Sequence, residues 1–558
     1  MTKRIIECVP NFSEGRNMQI IKQITDAIES VEGIKLLDID PGKATNRTVV
    51  TFVGEPQTVV EATFRAIAKA AELIDMRQHK GEHPRFGATD VCPFVPVSGI
   101  TLEEAAEYAR QLAERVGREL KIPVYLYEAA ASRPERKNLA TLRAGEYEGL
   151  PQKLANPDWK PDFGPNVFDS GVATTGVTAI GARDFLIAYN VNLNTTSVRR
   201  ANSVAFDVRE AGRIVKDAQG NSLRQSGQLK GVKAIGWYIE EYGIAQVSMN
   251  ITNISQTPLH EAFEAVCESA QSRGMRVSGS ELVGLVPLKA IIAAGKYFLR
   301  KQQRSVGVSE DELIKIAVKS MGLDELSPFD PKKKIIDYQL SKDSDKPLLN
   351  MDLRAFANET ASESPAPGGG SISAYLGVLG IALGTMVANL SSHKRGWDDR
   401  WDEFSSYAEQ GQQIKDQLLN LVDADTHAFN RILEAMRRPK TTPDEIEQRN
   451  QAIETATKQA IEVPYRIMEL SLSAMPILKA MAEQGNPNSV SDVGVGALCV
   501  RSAVMGAFLN VQINTDGLKD RTFAAQKLQE GSQWVAQAQN AEREILAIVQ
   551  EKMGGSTD

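Results

Sequence analysis

The residues best suited to chemistry lie in one tightly punctuated stretch, His79-Lys80-Gly81-Glu82-His83-Pro84-Arg85-Phe86-Gly87-Ala88-Thr89-Asp90-Val91-Cys92-Pro93-Phe94. It carries two of the five histidines in the chain. Pro84 stops a regular helix from running through His83. Gly81 and Gly87 permit backbone angles that other residues resist. An imidazole on such a loop, between Glu82 and Arg85, can be aimed at a ligand and tuned near neutral pH. His83 is therefore the first candidate general base. His79 stands four residues before it, but Pro84 argues against a shared helical face, so no zinc site is expected.

Two further groups fall at strand ends, where sheets commonly present ligand groups. Asp40 closes Leu36-Leu37-Asp38-Ile39-Asp40-Pro41-Gly42, and Arg47 opens the next strand within Ala44-Thr45-Asn46-Arg47-Thr48. Taken singly, each reads more readily as a turn-stabilising aspartate and a surface arginine. With His83 they make a base, a carboxylate and a guanidinium, a set that suits transfer of an imidoyl or acyl group between amines. The base removes a proton from the attacking amine. The carboxylate orients the imidazole or stabilises a developing amidinium. Arg47 can hold a substrate carboxylate through a bidentate pair.

A second candidate lies far along the chain, in a predicted helix over 402–437. Leu418, Val422, Phe429, Ile432 and Met436 form an apolar stripe at helical spacing, and Asp425 falls in its middle. Asp423, His427 and Asn430 flank it. A carboxylate on an apolar face is costly to bury. Desolvation would raise its pKa and leave it able to donate a proton. A structural aspartate held by hydrogen bonds from neighbouring helices explains Asp425 equally well from the residues alone. Upstream, Pro367-Gly368-Gly369-Gly370-Ser371 precedes a helix of small residues. Free N–H groups at such a start can bind an anion such as a ligand carboxylate, and a simple cap or linker is the equal alternative. No Gly-Lys-Ser/Thr follows, so it is not a P-loop. The cluster His393-Lys394-Arg395 reads as a solvated helix end and His260 as structural, while Lys289 either reaches a ligand or snorkels.

The 558 residues argue for three or more domains. A formal net charge of -7 gives no global case for nucleic-acid binding. Cys8, Cys92, Cys267 and Cys499 show no CxxC spacing and read as reduced thiols of a cytoplasmic protein. Met1-Thr2-Lys3-Arg4 runs straight into a strand-like segment, with no apolar signal segment expected. The uncharged run 372–390 is long enough to span a bilayer. Its small residues at 373, 377, 380, 384 and 388 share one helical face and suit close packing. No second span is expected, and the run is read as a buried central helix.

These residues need elements to position them. Strands are predicted at 4–9, 34–39 and 48–53, helices at 18–31 and 57–74, then an extended 92–97, a helix over 102–120 and a strand at 124–127. That order is the split βαβ pattern of ferredoxin-like folds. A Gly-rich, weakly periodic stretch runs from Gly164 to Gly181. The pattern then restarts: strand 185–193, helix 197–216, a hairpin of 234–240 and 245–251, helix 259–272 and extended 277–286. Past a polar connector at Lys332–Lys334 and 341–347, the chain reads as long helices: 371–390, 402–437, 443–482 (interrupted at Pro464 and Pro476), 492–513 and 518–552. The expected fold is an α+β pair of ferredoxin-like subdomains, 1–185 and 186–330, a linker 331–347 and an all-α multihelical bundle, 348–558.

Several motifs now converge. Ile6-Glu7-Cys8-Val9-Pro10-Asn11-Phe12-Ser13-Glu14-Gly15, Thr45-Asn46-Arg47-Thr48, His79 to Arg85, Asp90 to Phe94, Arg143-Ala144-Gly145-Glu146-Tyr147-Glu148 and Leu282 to Ala290 resemble the formiminotransferase family. Ala366-Pro367-Gly368-Gly369-Gly370-Ser371 and Leu421-Val422-Asp423-Ala424-Asp425 resemble the cyclodeaminase/cyclohydrolase family. Their order over nearly the whole chain is that of the bifunctional formimidoyltransferase-cyclodeaminase family.

The resemblance implies two consecutive reactions of histidine degradation and one-carbon metabolism. The first moves the formimino group of N-formimino-L-glutamate to N5 of tetrahydrofolate. The second closes the ring onto N10, giving 5,10-methenyltetrahydrofolate and ammonia. It makes His83 the catalytic histidine, with Asp40 and Arg47 in support. It places a folate-binding segment over Gly164, Pro165, Asn166, Val167, Phe168, Asp169, Ser170, Gly171, Val172 and Ala173, and makes Asp425 the acid that protonates departing nitrogen. It further implies tetrahydrofolate in polyglutamylated form as co-substrate, no metal, small-molecule partners only, a cytoplasmic location and a ring-like homo-oligomer. Two other readings remain for the helical half. One is a cyclohydrolase using water on methenyltetrahydrofolate. The other is a non-catalytic assembly module, which has no reason to carry Asp425 on an apolar stripe.

Overall fold

The computed structural model describes residues 4–43, 45–81, 84–217, 219–340 and 346–554. The chain divides into two compact units, one of residues 1–294 with 317–340 and one of residues 295–316 with 341–558.

The first unit holds two main sheets. Strands β1 (Ile5–Cys8), β2 (Asn11–Phe12), β3 (Lys35–Gly42), β4 (Arg47–Gly54), β5 (Thr89–Ser98), β6 (Val124–Glu128) and β7 (Thr178–Ala182) form the first. The order is β3-β4, then β1 and β2 end to end, then β5-β7-β6. The four positions from β3 to β5 are antiparallel and reproduce the expected ferredoxin-like order. β7 and β6 extend it in parallel. Residues alternate between faces along a strand. Ile6, Cys8, Phe52 and Phe94 pack with Ile24, Ala66 and Ala109 of helices Met18–Glu29, Pro56–Leu73 and Leu102–Arg115. Glu7 and its register partners Val53 and Val95 therefore point to the opposite face.

The Gly-rich stretch is more ordered than the sequence suggests. It contains helix Ser170–Thr175 and strand β7. Thr178-Ala179-Ile180-Gly181-Ala182 is wholly buried, so it shows no alternation of apolar and polar residues to read. Gly181 is required there, because a Cβ would fall 2.6 Å from the Tyr127 ring.

The second sheet follows the same plan. After β8 (Ile187–Leu193) and a small exposed hairpin of β9 (Arg213–Lys216) and β10 (Ser222–Gln225) come β11 (Val232–Ile239), β12 (Ile244–Ile251) and β13 (Val277–Val283). The order β11-β12-β8-β13 is antiparallel throughout. The helix expected over 197–216 ends at Val208, because Gly212, at φ +59°, turns the chain into the β9–β10 hairpin. The expected linker also starts too early. Pro331–Lys334 and Ile336–Leu340 are short helices of the first unit, with Ile335 and Ile336 buried and Ile335 bridged to Val286. Three preceding lysines concealed that apolar pair.

The second unit is helical: Leu353–Thr360, Gly369–Ser392, Trp401–Met436, Pro443–Ser473, Met475–Gln484, Val490–Thr515 and Arg521–Gly554. Residues 295–316, expected in the preceding subdomain, belong here. Val306 N–H donates to Ser405 Oγ at 3.0 Å, Asn389 Nδ2 donates to Gly307 O at 2.8 Å, and Lys296 pairs with Glu409 at 2.5 Å. Gly369–Ser392 is the central helix. Its small residues serve several neighbours rather than one face. Gly380 meets Gly496 O and Val500, Gly377 meets Ser471 and Leu418, and Gly384 meets Leu478. Among the described residues, two helices are long and apolar enough to cross a membrane, Gly369–Ser392 and Pro487–Thr515, where one was expected. They pack against each other in one core, where small residues bring their backbones close.

Pro464 does not interrupt its helix, which runs unbroken from Pro443 to Ser473. A proline inside a helix orphans the carbonyl four residues earlier. Here that carbonyl, Ala460 O, accepts from Asn514 Nδ2 at 3.2 Å. The apolar stripe on Trp401–Met436 is buried only in part. Leu418 and Val422 are in the core, whereas Phe429 and Met436 are exposed.

Candidate functional site

Asn46 gathers three separated motifs. It sits at φ +48°, a conformation asparagine tolerates better than most residues. Its Oδ1 accepts from Gly15 N–H at 3.0 Å, its Nδ2 donates to Lys80 O at 2.9 Å, and its own carbonyl lies 2.8 Å from His79 Nε2. Gly15 must be glycine, since a Cβ would strike the Gly42 and Arg47 backbone. His79 is thus a fastener of the loop. Burial lowers its pKa, against the pull of the Asn46 carbonyl, and Arg85 lowers it further. Glu82 and His83 lie outside the described residues.

The chain on both sides of His83 is stitched to the residues just after the predicted folate segment. Val177 N–H donates to Phe86 O at 2.9 Å, Ala88 N–H to Thr175 O at 2.8 Å, and Met76 N–H to Thr174 O at 2.9 Å. Tyr147 OH reaches Ala173 O at 2.5 Å and its ring meets Phe168 edge-on at 6.2 Å. Within the segment, Asp169 caps helix Ser170–Thr175 by accepting from Val172 N–H at 2.9 Å. Val172 is 1% exposed and belongs to the core with Phe86 and Tyr125, so it packs rather than faces a ligand. Gly164, Asn166, Val167, Ser170 and Gly171 are exposed, and Pro165, Phe168 and Ala173 half-buried.

A charged cluster adjoins this loop. Asp90 is fully buried, accepts from Phe86 N–H at 3.0 Å and pairs with Arg143. Arg47 is half-buried. Burial and the neighbouring Arg143 bring its pKa down to about 10, while Asp90 and Asp40 act in the opposite sense. Asp40 accepts from Gly284 N–H at 3.2 Å. The structure therefore brings Asp40 and Arg47 together. Asp90 and Arg143 are site residues that the sequence reading does not single out. The signal was present: Asp90 is an ionisable residue entering a strand of buried apolar neighbours. Lys289 is exposed, and His260 is buried on helix Leu259–Gln271.

In the second unit the two quoted motifs meet. The Asp425 carboxylate packs on Gly370, where a Cβ would sit within 2.5 Å of Oδ2. Ser371 Oγ donates to Val422 O at 2.8 Å and so holds the two helices in register. Burial raises the Asp425 pKa, and the Ser371 N–H at the helix start acts against that rise. At Gly370 and Ser371 the helix start thus meets a carboxylate of the protein itself. Asp423 is structural, accepting from Leu348 and Leu349 N–H at 2.9 and 3.2 Å. His427 is exposed. Among the described residues no group of three or more His, Cys, Asp or Glu is placed to hold a metal ion.

Comparison with known proteins identifies the family. Residues 5–183 match the family described as formiminotransferase domain, N-terminal subdomain, residues 188–341 the formiminotransferase domain, and residues 352–533 formiminotransferase-cyclodeaminase. A formimidoyltransferase-cyclodeaminase of Gallus gallus is 43% identical over 98% of this chain and 99% of its own length. The chain belongs to the formiminotransferase-cyclodeaminase family. Its two parts also have separate relatives. A glutamate formimidoyltransferase of Streptococcus pyogenes is 45% identical, covering 53% of this chain and 94% of that protein. A methenyltetrahydrofolate cyclohydrolase of Methylorubrum extorquens is 31% identical, covering 37% of this chain and 98% of that one.

Proposed function

We propose that this chain transfers the formimino group of N-formimino-L-glutamate to tetrahydrofolate and then cyclises 5-formiminotetrahydrofolate to 5,10-methenyltetrahydrofolate with release of ammonia. The observation that carries this is full-length similarity to a bifunctional relative, with an Arg47–Asp40–Asp90–Arg143 cluster in one unit and the Asp425–Gly370 contact in the other. The cyclohydrolase relative covers only the helical part and at lower identity, so the cyclodeaminase reading is preferred.

In the first reaction His83 takes the proton from N5 as that nitrogen attacks the formimino carbon, and the proton passes to the departing glutamate nitrogen. Arg47 holds a substrate carboxylate, and Asp40 stabilises positive charge on the formimino carbon and its nitrogens. The exposed residues of the 164–173 segment receive the folate. In the second reaction N10 attacks the same carbon. Asp425 protonates the amino group that leaves as ammonia and recovers the proton that N10 gives up. The raised pKa of Asp425 supports this role.

The tetrahydrofolate is taken in polyglutamylated form, and no metal is required. The enzyme works in the cytoplasm as a homo-oligomer. Exposed apolar side chains on helix Val490–Thr515, Leu509 and Ile513 among them, support assembly.

The test is to supply formiminoglutamate and tetrahydrofolate to the purified chain and to follow methenyltetrahydrofolate absorbance and ammonia. Both should appear in equal amounts. Glutamate release without ammonia would reduce the helical unit to an assembly module. His83→Ala should abolish glutamate release and leave ring closure of supplied 5-formiminotetrahydrofolate intact.

A further inference from the structure

The second sheet carries polar residues on the face turned away from its helices. Asn190 and Asn192 alternate along β8 with the buried Tyr189, Val191 and Leu193, and Gln246 pairs with Asn192 in register. Asn190, Asn192 and Gln246 are 4%, 0% and 0% exposed. Buried amides of this kind persist only when their hydrogen bonds are satisfied. Asn192 Nδ2 donates to Glu325 Oε2 at 2.5 Å, while the other two amides converge on β13. Asn190 Nδ2 donates to Glu281 Oε1 at 3.0 Å, and Gln246 Nε2 donates to the same oxygen at 2.9 Å and to Asn192 Oδ1 at 2.8 Å. Trp237 Nε1 donates to Gln246 Oε1 at 3.0 Å and so fixes which way that amide faces. Two donors on one oxygen hold the Glu281 carboxylate in a single orientation. Neither amide engages Oε2, and the Tyr242 hydroxyl is a further hydrogen-bond partner of this carboxylate.

Glu281 stands three residues before Gly284, whose N–H caps Asp40. Tyr242, between β11 and β12, senses both acids. Burial, then Glu281, Glu241 and Asp40, push its hydroxyl pKa up to about 12. Asp40 and Arg143 also act on the Arg47 guanidinium. One guanidinium and two carboxylates thus bear on the surroundings of Asp40. A formimino amino acid carries the complementary charges. Its α-carboxylate is joined through one carbon to an amidine, which is protonated at neutral pH and presents two N–H groups in one plane. Either N–H can donate to the carboxylate oxygen that the two amides leave open.

We propose that Glu281 is the donor-specificity residue of the transfer site, its carboxylate binding the cationic formimidoyl group so that an amidinium donor is preferred over a neutral acyl donor. The assignment rests on the transfer reaction proposed above and extends it to a residue of the second sheet. Asp40 and Glu281 then approach the amidinium from different sheets while Arg47 takes the adjacent carboxylate. Asn190 and Gln246 are positioning residues that act through Glu281.

The experiment uses the full chain with two donors that differ by one atom group, N-formimino-L-glutamate and N-formyl-L-glutamate, the second being neutral at the reacting carbon. Released glutamate is measured for both at saturating tetrahydrofolate. A charge-assisted hydrogen bond lost on Glu281→Gln should lower kcat/KM for the formimino donor roughly 10- to 100-fold, and leave the formyl donor within about threefold. Glu281→Asp, which keeps the charge on a shorter stem, should fall between. An equal fall for both donors, or no change in their ratio, overturns the assignment. Should the melting curve show Glu281→Gln to be unfolded, Glu281→Asp decides alone: a reduced preference for the formimino donor supports the proposal, and an unchanged preference defeats it. Wild-type protein that releases glutamate from neither donor instead removes the transferase reading itself.

Discussion

The Asp425 carboxylate packs directly on the Cα of Gly370, at the first turn of the central helix of the second unit. Nothing larger than hydrogen fits between them. The contact explains why position 370 is glycine. Gly370 lets an acid from a neighbouring helix approach backbone N–H groups, and burial then keeps the acid protonated to a higher pH than a free carboxylate.

Gly370→Ala should therefore abolish ring closure more completely than it unfolds the protein. A Cβ within 2.5 Å of Oδ2 must displace the carboxylate. Overpacking of this kind costs about 1–3 kcal/mol, and a displacement of about 1 Å at a reacting group lowers rate on the order of 100-fold. Gly369→Ala is the control. Its Cβ would meet only Asn510 Nδ2, at 3.2 Å, and should be tolerated. Methenyltetrahydrofolate formation from supplied 5-formiminotetrahydrofolate measures both, and glutamate release should be unchanged in each.

Asp425→Asn should lower ring closure by roughly 100- to 10,000-fold, the usual contribution of a general acid. The pH dependence carries the sign. The working acid is the protonated form, so ring closure is full at low pH and falls as pH rises through a pKa above the ordinary aspartate range. In Asp425→Asn that falling limb should vanish. A mutant that keeps the limb would assign it to another group.

Much of this was legible in the sequence for identifiable reasons. Asp425 stood out because an ionisable residue interrupted an apolar stripe. The doubled ferredoxin-like order was readable because most strands have one face on a helical layer and alternate. β7 was not, because a strand buried on both faces has no polar residue to mark its period. The connector was misplaced because three lysines hid Ile335 and Ile336. Asp40 and Arg47 were read from their strand ends. Glu281, by contrast, owes its place to Asn190 and Gln246, partners distant in sequence that only the fold supplies.

Pro464 shows the same dependence on a distant partner, and it can be measured. Asn514→Ala leaves Ala460 O without its side-chain donor in a buried helix, which should cost about 1–3 kcal/mol. Pro464→Ala restores the N–H that would normally bind that carbonyl. In the Pro464→Ala background, Asn514→Ala should then cost little. The double-mutant cycle, read by thermal melting, should give a coupling on the order of 1 kcal/mol. A coupling near zero would mean that Asn514 stabilises the helix in some other way.

Glu7 makes a prediction about stability rather than rate. It is 4% exposed on a central strand, and burial raises its pKa from 4.5 to about 7, with Arg183 opposing the rise. An acid whose folded pKa exceeds its unfolded value binds its proton more tightly in the folded state. Its favourable contribution is fully present below the unfolded pKa of 4.5 and is lost as pH rises through about 7. At about 1.4 kcal/mol per pKa unit, the ionised carboxylate should cost the first unit about 3 kcal/mol at pH 8. Glu7→Gln, which stays neutral, should therefore raise the melting temperature at pH 8 and have little effect near pH 4.5. Melting curves of both proteins across that range are the measurement. A destabilisation by Glu7→Gln at pH 8 would show that the attraction of Arg183 outweighs the burial of the charge.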